Sequence, residues 1–218
     1  MSKINNNWIN LDFSDEDALT TDELYYDTGV TTTQELDAKV DLQSYKNFFV
    51  QPGAMKSRVT NGAEGNIGNQ PTTRESTTNN VMTQYYAFDT TTEEGVQYQF
   101  SMPDDYDGGT IKIKPYWDAD ATASGTAVWG FKGQAYGNDN PIDAAWGSEV
   151  TSTDTLLTVG DMHIGPATAA LTIANTPALG DMIVIEIVCK TASTIAVDTF
   201  LMGIGIQYRS LSTATVIW

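Results

Sequence analysis

Few side chains in this sequence are of a kind and spacing that could do chemistry. His163 is the only histidine of the 218 residues, so a Ser/His/Asp arrangement would have to use it, yet after Val-Gly-Asp-Met it reads as an ordinary surface loop residue. Cys189, the only cysteine, ends the apolar run Met182 to Cys189. With no helix N-terminus in the sequence to hold a thiolate, it reads as a buried small hydrophobe. One histidine and one cysteine distant in sequence leave only carboxylates to complete a zinc site. The acidic run from Asp12 to Asp41 lacks the D-x-D-x-D-G spacing and closing glutamate of a calcium loop. Gly108-Gly109 and Gly203-x-Gly205 lack the lysine and following helix of a phosphate loop. Asp104, Asp105 and Asp107 share one turn and Asp118 and Asp120 the next. A glycosidase needs two carboxylates roughly 5–10 Å apart across a cleft, but a turn is the ordinary home of aspartate and nothing selects a pair. Exposed rings stack on sugars, which makes Trp117, Trp129, Trp146 and Tyr136 candidates, although alternation assigns Trp129 to a core. The expectation is a protein without catalytic, cofactor-binding or metal-ligating residues.

Charge narrows the partners. Against 28 acidic residues stand 11 basic ones, a net charge of −17. Nucleic acid is not an expected ligand, since that affinity comes mainly from Lys and Arg on phosphates. Met182 to Cys189 falls far short of the roughly 20 apolar residues that span a bilayer, and Met1 is followed by a polar Asn-rich stretch with no apolar export signal. The expectation is a soluble protein made in the cytoplasm with no membrane partner.

The elements that would position any site are strands. Val96, Tyr98, Phe100 and Met102 alternate with polar residues, as do Ile111, Ile113, Pro115 and Trp117, and then Ala127, Trp129 and Phe131. Period two with one apolar face is the mark of half-buried strands. Pro115, lacking an N–H, calls for an edge or a bulge. Shorter strands are expected at 154–159 and 169–173, and a single helical turn at 141–146. Met182 to Cys189, apolar on both faces except Glu186, reads as a central strand or one meeting a partner. Phe200, Met202, Ile204, Ile206 and Tyr208 alternate with Leu201, Gly203, Gly205 and Gln207, so that two glycines on one face let a bulky ring come close. About eight strands without a long helical period predict an all-β protein, an antiparallel β-sandwich of jelly-roll type, over residues 83–210.

Before it, residues 1–82 read as an acidic, polar, largely irregular N-terminal arm and linker. The arm holds a short alternating segment at 8–13, a capping-box pair Thr20/Glu23 and a strand or hook at 46–50. The stretch 60–80 is too polar to offset its own ordering entropy. On that reading, deleting residues 1–80 leaves the sandwich folded. Residues 211–218 form an apolar tail ending Val-Ile-Trp.

The order Phe88-Asp89, Phe100 to Pro103, Tyr106-Asp107-Gly108-Gly109-Thr110, Trp117, Val128-Trp129, Asp143-Ala144-Ala145-Trp146-Gly147, Gly180-Asp181 and Asp198 to Tyr208 resembles a family of jelly-roll virion proteins of tailed bacteriophages. The resemblance covers roughly residues 85–209. It implies a non-enzymatic structural protein of the virion, a homotrimer partnered by the major capsid protein or other virion proteins. The first reading is a capsid decoration or cement protein attached through its arm. The alternative is a tail or head fibre module that binds host surface glycans.

Overall fold

Alternating apolar residues can bury one face of a strand only if a second sheet covers it, and the chain supplies two. The computed structural model describes residues 44–65, 69–120 and 124–211. Among these the strands are β1 (Ser44–Val50), β2 (Met55–Ser57), β3 (Thr72–Glu75), β4 (Met82–Phe88), β5 (Gly95–Ser101) and β6 (Tyr106–Ala119). They continue with β7 (Thr126–Tyr136), β8 (Val150–Thr155), β9 (His163–Ile164), β10 (Met182–Cys189) and β11 (Thr199–Ser210). The first sheet runs β3-β4-β11-β6-β9 with β1 also on β11, and the second runs β2-β5-β10-β7-β8. From β4 onward the chain crosses between sheets at every step except the β7–β8 hairpin. The resulting orders β4-β11-β6-β9 and β5-β10-β7-β8 are those of a jelly roll. The protein is an all-β antiparallel sandwich of this type.

Its core centres on two tryptophans with no exposed surface, Trp117 of β6 and Trp129 of β7. Their rings lie 6.5 Å apart, and Phe88 meets Trp129 edge-on at 5.1 Å. The inward residues of β10 (Ile183, Ile185, Ile187) complete this layer. That strand is central, paired to β5 on one side and β7 on the other. Its odd member, Glu186, is buried on the opposite face of the sheet, where Arg58 (3.0 Å) and Lys132 (3.2 Å) hold it.

The expected boundary at residue 82 is not where the sandwich starts. β1 pairs along β11 from Ser44↔Ser210 to Val50↔Ile204, β2 extends the second sheet beside β5, and β3 forms a hairpin with β4. The described residues of the stretch 60–80, expected to be a linker, join the sheets through their main chain. The amides of Glu64 and Ala87 exchange hydrogen bonds with each other's carbonyls (2.7 and 2.9 Å), and Gly95 donates to Asn61 (2.9 Å). Ladder bonds to an existing sheet edge replace the apolar burial that the segment lacks. The segment at 8–13, the capping-box pair and residues 212–218 lie outside the described residues.

Other differences are local. β8 covers 150–155, so Leu157 falls in the following loop and is 84% exposed. Residues 169–173 form no strand: they make the isolated bridge Ile111↔Leu171 and send Leu171 and Ile173 into the core, and 141–146 is non-helical. The apolar face of β11 changes phase: a bulge between Leu201 and Gly203 turns Leu201 into the core with Ile204, Ile206 and Tyr208, because one extra residue inverts a period of two. Phe200 thereby points outward, stacked on Tyr85 at 4.2 Å under the Arg74 guanidinium. Pro115 sits inside the sheet opposite Ile204. Its carbonyl accepts from Gly165 (2.9 Å) on the β9 side. In an antiparallel ladder its nitrogen faces that side too, so the missing N–H costs the β11 pairing nothing.

Candidate functional site on the outer face of the first sheet

Two of the four rings considered for sugar stacking are core. Trp117 and Trp129 have no exposed surface, and Trp117 donates its Nε1–H to Asp154 Oδ2 at 2.9 Å. Tyr136 and Trp146 are half-buried, with the Tyr136 hydroxyl donating to the Ile142 carbonyl (2.9 Å). His163 is not a surface residue. β9 pairs it with Trp117, which lays the imidazole 4.8 Å from the indole, buried, with Nε2 at 3.0 Å from the Thr158 carbonyl oxygen. Cys189 is buried as expected. Burial pushes its thiol pKa up, and the ammonium of the following Lys190 is paired with Glu93 and Glu149.

The aspartate turns act as struts. Asp118 is wholly buried and accepts from Arg74 (3.0 Å) and from the amides of Ala119 (2.7 Å) and Gly160 (2.9 Å). Asp107 pairs with Arg209. Asp105 accepts from Tyr208 (3.0 Å), Ser210 (2.7 Å) and Lys46, tying the turn before β6 to β11 and β1. Burial alone would raise its pKa, but the hydrogen bonds from Lys46, Ser210 and Tyr208 outweigh it and bring the carboxyl from 3.8 down to about 2. A lowered folded-state pKa stabilises the fold above the unfolded value and loses that contribution as pH falls through the folded one. Asp105→Asn is therefore expected to lower stability at neutral pH and to flatten the stability loss between about pH 4 and pH 2. Urea midpoints measured across that range check this; an unchanged acid slope would remove Asp105 as its source.

A cleft with exposed rings lies elsewhere, on the outer face of the first sheet, where β1, β11 and β6 run side by side. Register sets the rungs: Asn47–Gln207–Lys112, then Phe49–Gly205–Lys114, then Gly203–Tyr116–Ile164. Every second residue of each strand faces outward. Where two of those residues on the central strand are glycine, the sheet has a floor with no side chains. Rings lie down on it. A Cβ at Gly203, whose φ is +150°, would meet Phe49 Cζ at 2.2 Å, and one at Gly205 would meet Tyr116 at 3.4 Å. Phe49 and Tyr116 stand edge to face, 5.1 Å apart at 89°, and Phe49 is 55% exposed.

Together with Asn47, Gln207, Lys112 and Lys114 these rings line a cleft of about 520 Å³, within the range of small-ligand sites. Gln207 Nε2 donates to Asn47 Oδ1 (3.0 Å), a bond that does not use the Asn47 amide hydrogens or the Gln207 carbonyl oxygen. Neither Phe49 nor Tyr116 was among the sequence candidates. The signal that points to them is the Gly203-x-Gly205 alternation, whose partner ring lies some 150 residues away and only becomes visible with the register of β1 on β11. Among the described residues, no group of three or more His, Cys, Asp or Glu side chains is placed to hold a metal ion.

No known protein family matches the sequence, and no curated protein sequence does. Solved structures are similar at the level of the sandwich. A family 11 carbohydrate-binding module from Clostridium thermocellum, in complex with a β-1,3-1,4-mixed-linked tetrasaccharide, shares 12% identity over 77% of this chain and 98% of its own, with a TM-score of 0.40. A carbohydrate-binding module specific for non-crystalline cellulose shares 14% identity over 69% and 85%, with a TM-score of 0.39. In the C. thermocellum xylanase 10B structure with xylohexaose the match covers 76% of this chain but only 28% of that one, at 11% identity and a TM-score of 0.41. Likenesses this distant say nothing of a ligand; strand order carries the jelly-roll assignment.

Proposed function

We propose that this chain is a non-catalytic jelly-roll module that binds a glycan in the cleft formed by β1, β11 and β6. The supporting observation is the pair of rings on a glycine floor, Phe49 and Tyr116 over Gly203 and Gly205, with amides and ammonium groups one rung away. A pyranose has an apolar face of C–H groups and a rim of hydroxyls. An immobilised ring meets the first without losing much conformational entropy, and fixed amides meet the second. The phage resemblance adds a setting, a fibre-type virion component that meets host surface glycans. The decoration reading rested on an arm reaching to residue 82, and residues 44–82 contribute β1, β2, β3 and the start of β4 to the sandwich.

Glycan-array binding followed by calorimetry on the best ligand tests the proposal. Phe49→Ala and Tyr116→Ala are each expected to weaken binding by about 1–3 kcal/mol, roughly 5- to 150-fold, with folding retained. Binding that survives both substitutions, or that is lost only on changing Trp146 or Tyr136, would place the site elsewhere.

A further inference from the structure

Basic side chains are scarce in this chain, and most of those described are neutralised. Lys46, Arg58, Arg74, Lys132, Lys190 and Arg209 all stand in ion pairs. On the second sheet, a continuous chain of contacts runs Arg58–Glu186–Lys132–Glu149–Lys190–Glu93. Lys112 and Lys114 have no ion-pair partner among the described residues, and both are exposed on one face of β6, lining the cleft. Two residues apart on a strand, their attachment points are only about 7 Å from each other, inside the roughly 8 Å screening length at physiological salt. Two ammonium groups on such neighbouring exposed lysines repel only weakly in water, and in a protein of net charge −17 they form a local positive site that an anion can share. Asp107, which lines the neighbouring cleft with Lys112, is taken up by Arg209. On this face the positive charge without an ion-pair partner is thus that of Lys112 and Lys114, beside the rings; Lys56, the other such lysine among the described residues, lies on β2 of the second sheet.

Resting on the glycan-binding reading, we infer that the ligand is an acidic glycan, a uronate-bearing polysaccharide whose sugar faces pack on Phe49 and Tyr116 while its carboxylates sit between Lys112 and Lys114. The rest of the protein repels polyanions, so attachment to one requires a local site of this kind.

The test uses the full chain, affinity electrophoresis and calorimetry. The probes are alginate, the same polymer after carboxyl reduction, dextran sulfate, a neutral β-glucan and a single-stranded oligonucleotide. Alginate is expected to bind best, to weaken as salt rises, and to lose about tenfold or more of its affinity in Lys112→Gln/Lys114→Gln, in line with the loss of charge-assisted hydrogen bonds. Phe49→Ala is expected to weaken the same binding. If the neutral or carboxyl-reduced glycan binds as well as alginate and the double substitution changes nothing, the acidic assignment is wrong while the glycan site stands. Preference for dextran sulfate, which carries sulfates and no carboxylate, would replace carboxylate by sulfate and overturn the uronate assignment. Binding of the oligonucleotide alone, or of no probe at all, overturns both readings.

Discussion

Trp117→Ala is expected to lower the unfolding free energy by about 3–5 kcal/mol, as for other buried aromatics truncated to alanine. The indole has no exposed surface. It spans the space between Trp129 and His163, and its Nε1–H is hydrogen-bonded to Asp154, so neither collapse nor water can readily fill the space it leaves. A domain of this size has about 5–15 kcal/mol of stability in all. With a urea dependence of about 2–3 kcal/mol/M, the midpoint should fall by roughly 1–2 M. Phe49→Ala, truncating a half-exposed ring, should cost about 1 kcal/mol while removing a binding surface. The two substitutions thus separate opposite roles for two aromatics of the same sheet. A Trp117→Ala protein that kept its midpoint and lost only glycan affinity would mean that this ring faces the ligand, contrary to its placement between the sheets.

What could be read from the residues follows from how local each signal is. The faces of β5, β6 and β7 were legible because period-two alternation needs only the strand itself, and the two-sided hydrophobicity of Met182 to Cys189 correctly marked a central strand. The outward turn of Phe200 was not legible. It depends on a bulge between Leu201 and Gly203 that exists only in the pairing of β11 with β6. Likewise the bridges at Gly62 and Glu64 are main-chain contacts with residues more than 20 positions along the chain, and β3 is held by the ladder of its hairpin with β4, and composition, which measures side chains, reads such a segment as a linker. His163 illustrates the same limit: its burial is decided by the two-residue pairing of β9 with β6.

The cleft combines both kinds of information. Gly203 and Gly205 announce a close approach from sequence alone, and Lys112 and Lys114 are plainly outward residues of an alternating strand. That the approaching rings are Phe49 and Tyr116, and that the lysines flank them, requires β1 and β6 to lie on opposite sides of β11. Tryptophan, the residue type that first suggests sugar stacking, misleads here because the two largest rings are also the best fillers of the inter-sheet core.

Removing residues 1–42 is expected to leave a cooperative unfolding transition, whereas removing residues 1–82 is expected to abolish it. Gln43–Trp218 form one compact unit, and the first truncation spares all of it. The second deletes β1, β2 and β3. Val50 and Met55 are almost fully buried in the common core, and Phe48 packs edge-on against Phe100 (5.5 Å) and Tyr208 (6.4 Å). At about 1.5–3 kcal/mol for each fully buried side chain, and less for Phe48, their loss approaches the whole stability of a domain. The Tyr86 hydroxyl also loses both its acceptors, the carbonyls of Met55 and Asn69. Beyond energy there is an edge: without β1, the stretch Ile204–Ser210 of β11 has one side of its ladder unpaired, and a long apolar strand left open in this way templates aggregation. Tryptophan fluorescence in urea and size-exclusion chromatography of the two truncations decide the matter. If the protein lacking residues 1–82 melted with the midpoint of the full chain and ran as a single species, β1–β3 would be appendages and the proposed glycan cleft, which needs Asn47 and Phe49, would have no fixed wall.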